Sequence, residues 1–245
     1  MISITSFSNI PEISIFAIKN NINLEFNGLV KPILYSDEFV KSIKERPDYS
    51  LIRSAHGPFF DLMPGTDDIE LKELVELKLK RAITACKILG IKNIIFHTGW
   101  FPKTYEGSAW IKNSLTFWNN IIEFTNNAIN IFIENVYEDT PDLMLGLVKE
   151  INNNNFNICL DIGHVNANSS KSLKQWIETL QSKIGHVHLH NNFGINDDHN
   201  GLTNGNINIK EILTLLKHNS PIANWNLEIR NGIEESIAIL QKANL

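Results

Sequence analysis

Short apolar runs alternate with longer amphipathic segments along the whole chain. Runs of four to six apolar or alternating residues, bounded by turn residues, predict strands; apolar residues at three- and four-residue spacing predict helices. The first half yields strands at 2–7, 22–26, 51–56 and 93–97. Between them, helices are expected at about 11–20, opened by Pro11, at 39–45, stopped by Pro47, and at 67–89, closed by Gly90. The second half continues with helix 108–127, strand 130–134, helix 141–152 and strand 156–161. Helix 171–182, strand 185–190, helix 209–218, strand 224–228 and helix 233–243 complete the series.

Eight strand-then-helix units without a linker predict an α/β protein, a (β/α)8 TIM barrel, as one domain over residues 1–245. An open doubly wound sheet is the alternative, but no glycine-rich phosphate loop follows the first strand. At 245 residues and 43% hydrophobic, the chain has the length and apolar content for a barrel. The net charge of −5 and the scatter of the 22 Lys and Arg argue against a nucleic-acid partner, which demands concentrated positive charge. Cys86 and Cys159 lie in apolar segments and suggest no disulfide framework. No signal-like start or membrane-length apolar run is present, so a cytoplasmic protein is expected. The run 152–155, four asparagines, reads as compositional drift or a turn, not as a functional tract.

The strand at 185–190 changes the picture. In His186-Val187-His188-Leu189-His190, the apolar residues face one way and the imidazoles the other. A loop carrying Asp197, Asp198 and His199 follows. Imidazole and carboxylate at this density suit a transition-metal site. A barrel brings the C-terminal ends of its strands to one rim. Strands three to six and eight end on His56, His97, Glu134, Asp161 and Glu228, with His188 near the end of the seventh. Positions two residues earlier, Ser54, Ile95, Phe132, Cys159, His186 and Asn226, should point inward beneath them.

Ser-Ala-His56-Gly-Pro-Phe, Phe-His97-Thr-Gly, Ile-Glu134-Asn, Leu-Asp161-Ile-Gly-His164, His-Val-His188-Leu, Asp197-Asp-His199 and Leu-Glu228-Ile-Arg230 together resemble the xylose isomerase-like barrels. That superfamily holds sugar and sugar-phosphate isomerases and epimerases, and also endonuclease IV. In the first branch, the resemblance implies one divalent metal, often manganese, on Glu134, Asp161, His188 and Glu228. The two glutamates then act as the acid/base pair, and His164 contacts a sugar or sugar phosphate. In the endonuclease IV branch it implies up to three zinc ions on those four residues with His56, His97, His164, Asp197 and His199, and phosphodiester cleavage. Only four arginines are present, and 201–205 reads Gly-Leu-Thr-Asn-Gly where both branches often show Leu-Gly-Glu-Gly. The isomerase or epimerase branch is the first expectation. Such barrels often form dimers or tetramers, but no interface is legible in the sequence.

Other residues carry open alternatives. Arg230, two residues past Glu228, either anchors a substrate phosphate or carboxylate or pairs with an acid. Trp100 and Phe59 on the rim loops either wall a sugar pocket or pack loop to loop. Glu25 either binds sugar hydroxyls or is a buried ion-pair partner lower in the barrel. His190 is the rival of His188 as the seventh-strand ligand, and His186 is expected one layer below.

Overall fold

The computed structural model describes residues 1–7, 9–31 and 36–243. Parallel strands β1 (Ile2–Ser6), β2 (Asn23–Phe26), β3 (Ile52–His56), β4 (Asn93–His97), β5 (Asn130–Glu134), β6 (Phe156–Asp161), β7 (Ile184–Leu189) and β8 (Asn224–Leu227) form a closed barrel in chain order. Closure runs through Ile2↔Trp225, Ser3↔Asn226 and Ile4↔Leu227. The expected (β/α)8 barrel is the observed one. No helix among the described residues is long and apolar enough to cross a membrane.

The helices are α1 (Pro11–Asn20), α2 (Asp37–Lys44), α3 (Ile69–Leu89), α4 (Gly107–Thr125), α5 (Asp142–Ile151), α6 (Ile162–Asn168), α7 (Leu173–Leu180), α8 (Ile209–Asn219) and α9 (Ile233–Lys242). Local chemistry explains their limits. The Asp68 carboxylate caps α3 by accepting the Leu71 N–H, and Gly90 ends it with φ of 69°. Val75, Leu79, Ala82, Ile83, Cys86 and Leu89 bury the inner face of α3 at helical spacing. They meet the outward faces of the strands, among them Ile4, Leu24, Ala55, Ile94 and Ile133, in one continuous layer.

The pattern predicted one helix after β6, over 171–182; the structure has two. The first, α6, is too short to show a period, and the last strand residue, Asp161, is itself its N-cap through the His164 N–H at 2.7 Å. β7 stops at Leu189, leaving His190 just beyond the strand.

The space inside the barrel is divided. Ile95, Phe132 and Cys159, from β4, β5 and β6, form a small apolar cluster separate from the main core. The other strands supply buried Ser3, Thr5, Glu25, Ser54, His186 and Asn226. Barrel interiors are usually layers of branched apolar residues. Here only one side is.

Candidate metal centre at the mouth of the barrel

Strand ends deliver the chemistry. His56, His97, Glu134 and Asp161 terminate β3 to β6, His188 is penultimate in β7, and Glu228 follows β8. Register joins them: His97 pairs with Glu134 across β4 and β5, and Asp161 with His188 across β6 and β7. Three donor groups result at the rim, and a fourth, Cys159, His186 and His188, lies beneath them, each with its donor atoms within 4.8 Å of one another. Glu134, Asp161, His188 and Glu228 form the first, His56, His97 and Glu134 the second, and His164, His190, Asp197 and His199 the third. All the ligand candidates read from the sequence fall in these groups, and Glu134 belongs to two.

At the centre, His188 Nδ1 lies 3.0 Å from Glu134 Oε1, 2.9 Å from Glu228 Oε2 and 3.9 Å from Asp161 Oδ2. Asp161 Oδ2 is buried and has no hydrogen-bond partner among the described residues. A buried anionic oxygen left so is costly. Three carboxylates converging on one imidazole nitrogen fit a divalent cation by number and by chemistry. The histidine-rich groups beside it suit zinc.

Backbone carbonyls fix the tautomers of three rim histidines. Nδ1 of His56, His164 and His199 lies 2.9, 2.8 and 2.9 Å from the carbonyls of Gly57, Asn135 and Glu228. A carbonyl only accepts, so these Nδ1 atoms carry the proton and Nε2 of each faces the donor groups, as in outer-shell support of metal-bound histidine. His190 lacks such support: its Nδ1 has no partner among the described residues, and its Nε2 lies 3.0 Å from Asp161 Oδ1 and 3.4 Å from Asp197 Oδ1. It orients Asp161 from the edge of the third group, and His188 occupies the central place.

The electrostatics follow from this crowding. Burial opposes the charged form of Glu134, yet the charge of His188 and the hydrogen bonds from His188 and His56 hold its carboxyl well below the usual range. Burial likewise opposes ionisation of Asp161, and His164 and His190 outweigh it. His188 and His164 are raised despite burial, His188 by Cys159 and then Glu134, Glu228 and Glu25, and His164 by Asp161, Asp197 and Glu134. Burial dominates at His97 and lowers it to about 3, so this ring is neutral.

Next to His97 a cleft of about 300 Å³ opens, lined by Phe59, Phe60, Met63, Trp100, Phe101 and Tyr137 among others. Phe59 is stacked on His97 at 4.3 Å, which places it against the centre as well as the cleft. Arg230 is exposed, with its guanidinium 5.5 Å from the Phe7 ring centroid. It does not share the inward face with Glu228, because β8 ends at Leu227 and strand alternation stops there.

Sequence reasoning missed three supports. Asn135 clamps the Asp161 backbone by donating to its carbonyl (3.0 Å) and accepting its N–H (2.9 Å). Its position beside Glu134 was the only available signal. Buried Glu138 accepts from the Thr98 hydroxyl and the Val136 N–H, tying the β4 and β5 loops together. In the loop after β7, Asn191 accepts from Ile207 N and donates to Leu202 O, so the 201–205 segment is anchored without the expected glutamate.

Known proteins share this architecture. The chain is 29% identical over 212 residues to an uncharacterized protein of Methanocaldococcus jannaschii, spanning 80% of this chain and 71% of that one. The crystal structure of a D-tagatose 3-epimerase-like protein matches with a TM-score of 0.82 at 26% identity, covering 99% of this chain and 96% of the other. A Thermus thermophilus protein soaked with zinc chloride matches at the same TM-score and 20% identity, covering 99% and 97%. Residues 24–243, nearly the whole chain, match the xylose isomerase-like TIM barrel family, and the protein belongs to it.

Proposed function

We propose that this barrel is a divalent-metal-dependent sugar isomerase or epimerase, acting on a small ketose or ketose phosphate. One observation carries the reading: Glu134 and Glu228 converge with Asp161 and His188 in a single buried donor group. The likeness to a D-tagatose 3-epimerase-like protein supports it. Held by these four residues, manganese or zinc would polarise the carbonyl and hydroxyl of the sugar. One glutamate takes the proton from the carbon beside the carbonyl and the other returns a proton, which inverts that carbon or moves the carbonyl. His164, on the rim beside Asp161, contacts the sugar hydroxyls. Phe59 and Trp100 wall the sugar on the cleft side, and Arg230 meets a charged distal end where the substrate has one.

Glu134→Gln tests the role, because it keeps the volume and loses the charge. Epimerisation across a panel of ketoses and their phosphates should vanish in the variant while its circular dichroism stays that of the wild type. Turnover by the variant would remove Glu134 from the mechanism.

A second reading, zinc-dependent phosphoester hydrolysis, is favoured by the donor groups that flank the central one, one of which shares Glu134 with it. Several ions close together suit attack on, and departure from, a phosphoester. The excess of 27 Asp and Glu over 22 Lys and Arg weighs against a long polyanion. Cleavage of an abasic-site duplex or of an aryl phosphodiester by the zinc-loaded protein tests it.

A further inference from the structure

Beneath the rim, one buried residue touches the central histidine and no solvent. Glu25, on β2, is fully buried inside the barrel, so it meets neither solvent nor substrate. Its Oε1 lies 2.9 Å from His188 Nε2 and accepts from Asn226 Nδ2 at 3.1 Å. Its Oε2 lies 3.1 Å from His186 Nε2 and accepts from the Ser54 hydroxyl at 2.9 Å. Asn226 is oriented in turn, donating to Thr5 Oγ1 at 2.7 Å and accepting from Ser3 Oγ at 2.9 Å. Asn226 and Ser54 donate hydrogen bonds to the Glu25 carboxyl, and Nε2 of His186 and of His188 lies within ion-pair distance of it without hydrogen-bond geometry, surroundings that suit a carboxylate.

A charge buried inside a barrel is a poor means of stabilisation, since an apolar replacement is often as stable or more so. Side chains from β1, β3, β7 and β8 nevertheless combine to hold this one in place. The other nitrogen of the same His188 ring, Nδ1, faces Glu134 and Glu228. The imidazole thus stands between Glu25 below and the donor group above. Nδ1 of His56, His164 and His199 each meets a neutral backbone carbonyl; the inner nitrogen of His188 meets the Glu25 carboxylate instead. Such a partner fixes which nitrogen is free to ligate, holds the ring and raises its strength as a donor.

We propose that Glu25 is a positioning residue of the metal centre, acting through His188 to orient its Nδ1 and strengthen it as a ligand. The polar half of the barrel interior is then the support of this pair, and β2, which brings no donor to the rim, contributes from below. The proposal rests on Glu134, Asp161, His188 and Glu228 being the metal-holding set.

The experiment is titration of the whole metal-free protein with manganese, read by the loss of the free-ion electron paramagnetic resonance signal. Glu25→Gln should weaken manganese binding about 10- to 100-fold, with the number of ions at saturation unchanged. Ser54→Ala, which removes one bond to Glu25 and leaves its charge, should shift affinity in the same direction by less. It serves as the readout if Glu25→Gln does not fold. In a His188→Ala background Glu25→Gln should change the affinity less than about twofold, since the two act as a coupled pair. Wild-type affinity in Glu25→Gln overturns the proposal, as does an equal loss with and without His188. A wild-type protein that binds no manganese or zinc would instead sink the donor-set reading itself.

Discussion

A Cβ added at Gly163 would stand 1.9 Å from Cε1 of His190. His190 fills the volume that any other residue at 163 would need, and in doing so brings its Nε2 to 3.0 Å from Asp161 Oδ1. Gly163 lies in α6, where propensity alone favours alanine by about 1 kcal/mol. The close approach reverses that preference. Gly163→Ala is expected to destabilise the protein by about 1–3 kcal/mol through overpacking, and to weaken zinc binding at the third donor group. Urea unfolding in chelator measures the first effect; a variant as stable as the wild type would contradict the packing.

Asp161 serves two ends with its two oxygens. Oδ1 caps α6 through the His164 N–H at 2.7 Å, whereas Oδ2 has no hydrogen-bond partner among the described residues and faces the central donor group. Asparagine caps helices about as well as aspartate. Asp161→Asn therefore separates the roles: stability should stay within about 1 kcal/mol of wild type, while affinity for manganese falls at least about 10-fold. Paired calorimetric titration and thermal unfolding check this. A variant that loses stability and keeps its metal would reverse the assignment.

Much of this centre was legible in the chain because strand periodicity and metal chemistry pointed to the same positions. His97, Glu134 and Asp161 each close an apolar run and His56 a mixed one, and a barrel requires strand ends to share one rim. What stayed hidden depends on contacts between distant strands. Glu25 and Asn226 are 201 positions apart and meet only because the sheet closes. Glu25 could therefore be read only as a sugar ligand or a buried partner, and the structure selects the second. Arg230 was misplaced inward for a simpler reason: alternation was extended past Leu227, where the strand stops. Helix α6 was missed because its N-cap is a strand residue, so no turn sequence announces it.

Titration of His199 predicts how the metal-free protein responds to pH. Burial disfavours its charged form, but the Asp197 carboxylate, 3.0 Å from Nε2, keeps the ring protonated up to about 9, against an ordinary value near 6.5. The folded state holds this proton more tightly than the unfolded chain. The resulting stabilisation is complete below about pH 6.5 and is lost as pH rises toward 9. Asp197 is 38% exposed, so solvent trims the gain to no more than about 2 kcal/mol. Tm in chelator should therefore decline between pH 6.5 and 9, and His199→Gln should flatten that decline. An equal decline in the variant would assign it to other groups.

The number of ions per chain discriminates between the chemistries more sharply than any single variant. The central group offers three carboxylates and one imidazole, the donor set of a hard, exchangeable ion such as manganese. The other two groups are dominated by imidazole, and their rings present Nε2 with Nδ1 of His56, His164 and His199 already satisfied by carbonyls. If the flanking groups also take ions, as phosphoester hydrolysis requires, elemental analysis of protein purified without chelator finds more than one ion per chain, with zinc among them; the proposed isomerase needs only the central ion. His56→Ala and His199→Ala should each remove one zinc and leave the central ion in place, because neither belongs to its donor set. One ion in the wild type, unchanged by either substitution, would confine the chemistry to Glu134, Asp161, His188 and Glu228 and leave proton transfer on a sugar as the reading to pursue. Loss of all metal on removing His56 would mean instead that Glu134 cannot serve its two groups independently, and that the centre assembles as a unit.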